Sequence, residues 1–198
     1  MPATMDSFTR CSRGAELRRI AALWAAALLL LLAGGARAQS IVVESAALVP
    51  HEAGYALNAQ FAVYLTEPLK QALNRGVTLP FVVDFEVTRP RRFWLAEEIV
   101  AAQHPVSLGY SPLTRQYRVA DGVSFQHADT LDEALRLLGR VRDTVVATRG
   151  DLRRGGEYEA YVRMRLDPNE LPAPTQASAL TTRDWAIRSD WYSWRVVP

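Results

Sequence analysis

The chain has one cysteine in 198 residues, Cys11, and none beyond it. Everything C-terminal of that position is therefore without disulfides, thiolate metal ligands or a cysteine nucleophile. Lysine is nearly as scarce: Lys70 stands alone among 23 basic residues. A GC-rich genome accounts for such an arginine bias, and so would recognition of carboxylates or phosphates by guanidinium forks. The longest apolar run, from Ile20 to Ala33, holds 14 residues, short of the roughly 18–20 needed to span a bilayer. No G-x-S-x-G elbow, no H-E-x-x-H pair and no glycine loop followed by Lys-Ser or Lys-Thr occurs. The sequence signals of serine hydrolases, zinc proteases and phosphate-binding loops are thus missing. His51, His104 and His127 are 53 and 23 residues apart and read as surface or turn residues. No metal and no cofactor is expected.

What is present begins with an address. Arg10, Arg13, Arg18 and Arg19 precede the apolar run, Gly34 and Gly35 break it, and Ala36-Arg37-Ala38 supplies the small-x-small pattern of a signal-peptidase site. Residues 1–38 are predicted to be a secretory signal cut after Ala38, leaving Gln39 as the new N-terminus. No cysteine follows the cut, so lipid anchoring is not expected. Residues 39–198 then form a single β-rich periplasmic domain, long enough to bury about 70% of its unfolded surface. This part holds 18 basic and 19 acidic residues, a balance that argues against nucleic acid or an anionic membrane as the main ligand. Membrane contact is expected only through the signal segment before cleavage.

Period-two alternation marks the strands. Tyr55, Leu57, Ala59, Phe61 and Val63 share one face; Phe81, Val83, Phe85 and Val87 share another, with Asp84 and Glu86 opposite. Tyr158, Ala160, Val162, Met164 and Leu166 alternate with Tyr161, Arg163 and Arg165. Further strands are expected at 41–48, 115–119, 141–148 and within 93–110, although 94–102 could also wind into a helix. Ser111-Pro112-Leu113-Thr114 suits a type I turn closing a hairpin, and Asp121-Gly122 suits a tight one. Residues 151–156 read as the loop of a longer hairpin, and 167–174 as an extended connector. Two short helices are predicted. Thr66 caps the first, with Pro68 in its first turn, Gly76 at its end and Leu69, Ala72 and Leu73 facing inward. Thr130 and Glu133 form a capping box for the second, whose apolar face is Leu131, Ala134, Leu135 and Leu138. The fold class is mainly β (α+β): an antiparallel β-sandwich or bent sheet with two short covering helices.

Several clusters deserve a chemical reading. Asp84, Glu86, Glu97 and Glu98 could supply a carboxylate pair for hydrolysis, but read more simply as a solvated sheet face. Arg89, Arg91 and Arg92 surround Pro90 beside Trp94 and could bind carboxylates. Arg115, Arg118, Arg163 and Arg165 would lie on one outward face if their strands are neighbours. Trp185, Trp191 and Trp194 either fill one end of the core or expose an anchor for another protein.

The segment Leu108-Gly109-Tyr110-Ser111-Pro112-Leu113-Thr114-Arg115-Gln116-Tyr117-Arg118-Val119 resembles the signature of the bacterial domain of unknown function 4390. So do the strand-helix-strand block 61–86, the helix beginning Leu131-Asp132-Glu133-Ala134-Leu135, and the closing pattern of Leu171-Pro172, Trp185, Ser189, Trp191 and Trp194. The resemblance implies an exported proteobacterial protein without assigned activity, encoded beside a membrane sensor kinase of nitrogen-regulation type. It implies no catalytic residues.

Together these readings lead us to expect a non-enzymatic binding or interaction domain in the periplasm, accessory to a membrane-bound sensor kinase or another envelope protein. Its expected binding residues are Tyr110, Arg115, Tyr117 and Arg118 on the hairpin and Trp185, Trp191 and Trp194 near the C-terminus. A carboxylate-dependent periplasmic hydrolase and a structural or envelope-assembly protein are the alternatives.

Overall fold

A computed structural model of the chain describes residues 40–91, 96–122, 124–173, 175–176 and 183–198. The chain divides into two units at the Ala38/Gln39 junction. The predicted signal segment with Ala36, Ala38 and Gln39, and the residues Arg92 and Trp94, lie outside the described set. No described helix is long and apolar enough to cross a membrane.

Among the described residues, nine strands and two helices follow in the order β1 (Ile41–His51), β2 (Gly54–Val63), α1 (Glu67–Asn74), β3 (Leu79–Arg89), β4 (Glu97–Ser111), β5 (Gln116–Asp121), β6 (Ser124–Ala128), α2 (Leu131–Leu138), β7 (Arg140–Ala147), β8 (Tyr158–Leu166) and β9 (Tyr192–Val196). They form two antiparallel sheets, β1-β2-β7 and β6-β5-β4-β3-β8-β9. The alternating apolar residues fall on the inner faces. Phe81, Val83, Phe85 and Val87 of β3 and Tyr158, Ala160, Val162 and Met164 of β8 are buried together with Leu57, Ala59, Phe61 and Val63 of β2. Each fully buried phenylalanine contributes roughly 2 kcal/mol. Three strands cannot cover six, and the helices close the remainder. Helix α2 packs on β2, β4, β5 and β6, and α1 packs on β4. Leu69, Ala72, Leu73, Ala134 and Leu138 are the residues they bury.

The two helix starts differ. Thr130 Oγ1 accepts from Glu133 N at 3.2 Å, while the Glu133 carboxylate reaches back to Asp129 N at 3.4 Å. Thr66 occupies the N-cap of α1 but its side chain caps nothing; the hydroxyl donates to the Asp184 carbonyl at 2.9 Å, tying the helix start to the turn Arg183–Trp185. Thr130→Ala is therefore expected to cost about 1 kcal/mol. Urea unfolding and amide exchange in α2 would show it; an unchanged midpoint with unchanged exchange would refute the cap.

Four other expectations are modified. Residues 94–102 give no helix where described: β4 is strand from Glu97, because it pairs along its length with β3. The 111–114 hairpin exists, yet its loop takes one more residue. Arg115 N donates to Ser111 O at 2.8 Å, with Arg115 in the left-handed region at φ 56°. Residues 151–156 do not close a hairpin, since β7 and β8 belong to different sheets and the loop crosses between them. The 167–174 connector carries a 3-10 turn at Pro168–Glu170.

The C-terminal segment is fastened before β9 begins. Leu166 N donates to Ile187 O, and Ser189 N to Met164 O, while Ser189 Oγ accepts from Met164 N at 3.0 Å. Trp185 and Ile187 are buried in the core by this arrangement.

Candidate functional site

The outer face of the six-stranded sheet carries the densest positioned chemistry among the described residues. Asp84 lies on the outward side of β3, directly across from Gln103 of β4 and Arg163 of β8. It is 5% exposed, and a carboxylate so placed needs partners. Gln103 donates to Oδ1 at 2.9 Å, and the Nε atoms of Arg163 and Arg165 both donate to Oδ2, at 2.8 and 2.9 Å. Burial pushes the carboxyl up, but hydrogen bonds from Arg165, Arg163 and Gln103 outweigh it and hold Asp84 below its ordinary value. One negative charge is thus shared by two guanidinium groups.

Neighbours extend the cluster along β8. The Arg163 guanidinium stacks 4.3 Å from the centre of the Trp191 ring, and Tyr161 meets the same ring edge-on at 6.4 Å. Arg165 stands in a bridge opposite Arg188 and lies 3.9 Å from Asp167. Asp167 in turn helps wall a groove of about 580 Å³ with Glu170. Pro80 and Val82 of β3, Gln103 and Pro105 of β4 and Ala120 of β5 also line it. Its size is that of a ligand-binding cleft. A second groove, about 620 Å³, lies at the end of β2, where Lys70, Arg136 and Arg140 face Glu44 and Asp132. No buried anchor positions its charges, so it is the less preorganised of the two.

The expected site residues separate. Tyr110 and Tyr117 pair across β4 and β5 on the inner side, with ring centres 4.8 Å apart, and pack half-buried against the core. Trp185 is buried, and Trp194 faces inward near Phe85. Arg115 occupies the exposed hairpin turn. Arg118 is on the outer face, 4.2 Å from the centre of the exposed Phe125 ring. Trp191 is 38% exposed at the opposite edge. Strands β4, β3 and β8 separate β5 from β9, which sets Arg118 about 19 Å from that edge at four inter-strand spacings. The hairpin and the C-terminal tryptophans therefore do not converge. Arg118, Arg163 and Arg165 do share the outward face, although their strands are not neighbours.

The expected carboxylate pair is likewise dispersed. Asp84 is held by three donors, and Glu97 is paired with Arg91 at 2.6 Å and Arg89 at 3.6 Å at the far end of the strand pair. Glu86 and Glu98 line neither large groove. Among the described residues no group of three His, Cys, Asp or Glu side chains is placed to hold a metal ion. His104 is not a turn residue: it faces inward on β4, opposite Val83, and its Nε2 contacts Asp121. Sequence reasoning missed Asp84 as an anchor and Gln103 as its partner. The available signal was an acid, Asp84, at the centre of an apolar strand, with two arginines at alternate positions of another.

An all-antiparallel two-sheet domain with a polar, arginine-rich outer face is the class this architecture defines. A family model described as a domain of unknown function, DUF4390, matches residues 38–195, and the chain belongs to that family. No curated protein and no solved structure matches it.

Proposed function

We propose that residues 39–198 work in the periplasm, after removal of residues 1–38, as a non-enzymatic domain that binds another envelope protein through the outer face of the six-stranded sheet. A membrane-bound sensor kinase is the partner that the family resemblance favours. The observation that carries the reading is the Arg163–Asp84–Arg165 cluster. Its guanidinium groups are fixed by a buried carboxylate and an indole on strands of the sheet, and among the described ion pairs the Nη atoms meet only Asp167, at 3.9 Å. Side chains ordered in advance favour association, because little conformational entropy remains to be lost. A hydrolase built on Asp84, Glu86, Glu97 and Glu98 draws no support from this geometry. It needs two carboxylates facing each other across a cleft, and Asp84 and Glu97 are each engaged by arginines in different places.

Crosslinking in intact cells with a tagged protein tests the proposal. One membrane protein is expected to be recovered, and Trp191→Ala is expected to reduce its recovery without lowering the unfolding midpoint. Trp185→Ala, by contrast, is expected to unfold the domain partly, since that ring lies in the core. Recovery of no specific protein from cells that export the wild type would overturn the binding role.

A further inference from the structure

We propose that the Arg163–Asp84–Arg165 cluster and the adjoining groove form a subsite for an acidic side chain in an extended segment of the partner protein, with an apolar neighbour of that acid lying in the groove. The inference rests on the binding role above and specifies the chemistry recognised.

Charge is the first argument. Arg163 and Arg165 share the Asp84 carboxylate, Arg165 also reaches Asp167 at 3.9 Å, and Arg188 stands directly across from Arg165, so three arginines face two carboxylates. Like charges opposite each other in a sheet oppose folding, and an incoming carboxylate relieves that repulsion. Asp167 and Glu170 lie on the other side of Arg165, so the positive field is bounded, not continuous.

Geometry is the second. Each arginine uses its Nε on the same oxygen of Asp84, so the Nη edge of Arg163, and that of Arg165 beside its long contact of 3.9 Å to Asp167, can face another acceptor. A planar fork matches a carboxylate in two parallel hydrogen bonds. Stacking on Trp191 holds the Arg163 plane.

The groove is the third. Pro80, Val82, Pro105 and Ala120 present small apolar surfaces beside the cluster, and Asp167 bounds both. A uniformly acidic segment would be repelled by Asp167 and Glu170. A segment reading basic, apolar, acidic places its basic residue at that wall, its apolar residue on the proline surface and its acid at the arginines. The face is open along the sheet, so the chain passes through and the carboxylate is that of a side chain, not of a terminus.

The test is fluorescence anisotropy with the purified protein and an end-blocked, labelled peptide, Ser-Gly-Lys-Leu-Leu-Glu-Gly-Ser. Saturable binding is expected, weakened at least tenfold when the peptide Glu becomes Gln, and at least tenfold by Arg163→Gln or Arg165→Gln. Arg142→Gln, exposed on β7 in the three-stranded sheet, should leave it unchanged. Urea midpoints of each variant establish that the fold persists. Should Arg165→Gln unfold the protein, Arg165→Lys serves instead, since it keeps the charge and loses the fork, and is expected to weaken binding likewise. No binding, or equal binding of the Gln peptide, overturns the subsite. So does displacement by inorganic phosphate more readily than by free glutamate, which would make it a phosphate site. A partner captured in cells equally well by Arg163→Gln and Arg165→Gln leaves the binding role intact and removes this subsite; no captured partner despite specific peptide binding does the reverse.

Discussion

Asp84→Asn is expected to lower the unfolding free energy by about 3 kcal/mol at neutral pH, as measured by urea denaturation. The substitution keeps the size of the side chain and removes the charge that two guanidinium groups share. The loss sits at the lower end of what a broken buried ion pair costs, because Arg163 and Arg165 keep 29% and 26% of their side chains exposed and can turn toward water. The pH dependence has a definite sign. The Asp84 carboxyl ionises below its ordinary value in the folded protein. Its contribution is therefore complete above the unfolded value, about pH 4, and disappears as pH falls through the lower folded value. The difference between wild type and Asp84→Asn should stay constant from pH 7 to about pH 4 and narrow below it. Equal midpoints at pH 7, or a difference that widens on acidification, would refute the arrangement. A double variant with Arg165→Gln should lose less than the sum of the two single changes, since the residues act as one unit.

Gly139→Ala is expected to destabilise the protein by about 3 kcal/mol, although its backbone conformation permits alanine. Gly139 ends α2 with φ −76° and ψ −2°. At such a position alanine would ordinarily stabilise by a few tenths of a kcal/mol, through the unfolded state. Here a Cβ would enter the carbonyl oxygen of Phe61, inside van der Waals contact. That backbone cannot yield easily, because Phe61 N donates to Gly139 O at 2.8 Å and the Phe61 ring is in the core. The glycine thus sets how closely α2 turns into β7 against β2. Thermal unfolding decides the sign: a melting temperature at or above that of the wild type would show that the close approach does not exist.

The binding reading gains its economy from where the fold puts charge. An anionic anchor at the centre of a sheet orders two long cationic side chains that would otherwise sample many rotamers. The aromatic surfaces expected to form one interface are instead divided, with Tyr110, Tyr117, Trp185 and Trp194 turned to the core and Trp191 left at the surface. Variants of the first four are therefore expected to report on stability, and variants of Trp191 on the proposed recognition.

Much of the fold is legible residue by residue. The period-two runs of β2, β3 and β8 identify their inner faces correctly, because one side of each strand meets the core and the other meets water. The capping box at Thr130 and the apolar stripes of both helices are local patterns with local causes, and they stand. Thr66 shows the limit: the residue type suits a cap, but a carbonyl 118 positions away takes its hydroxyl. The 151–156 loop shows the same limit, since turn chemistry cannot say whether the strands it joins lie in one sheet or two.

By itself, then, the sequence determined the absence of cysteine chemistry beyond residue 11, the family, the mainly antiparallel architecture and the inner faces of β2, β3 and β8. The chemistry and the strand faces follow from composition and short-range periodicity; the family follows from the resemblance of its motifs, which the family model matches over residues 38–195. Only the tertiary structure decided that β3 lies between β4 and β8, and hence that Asp84, Gln103, Arg163 and Arg165 meet. It also decided that the β5 hairpin and Trp191 stand at opposite ends of one sheet. Strand order is fixed by packing across long sequence separations that no local pattern encodes, whereas register within a hairpin follows from the apolar alternation and the turn.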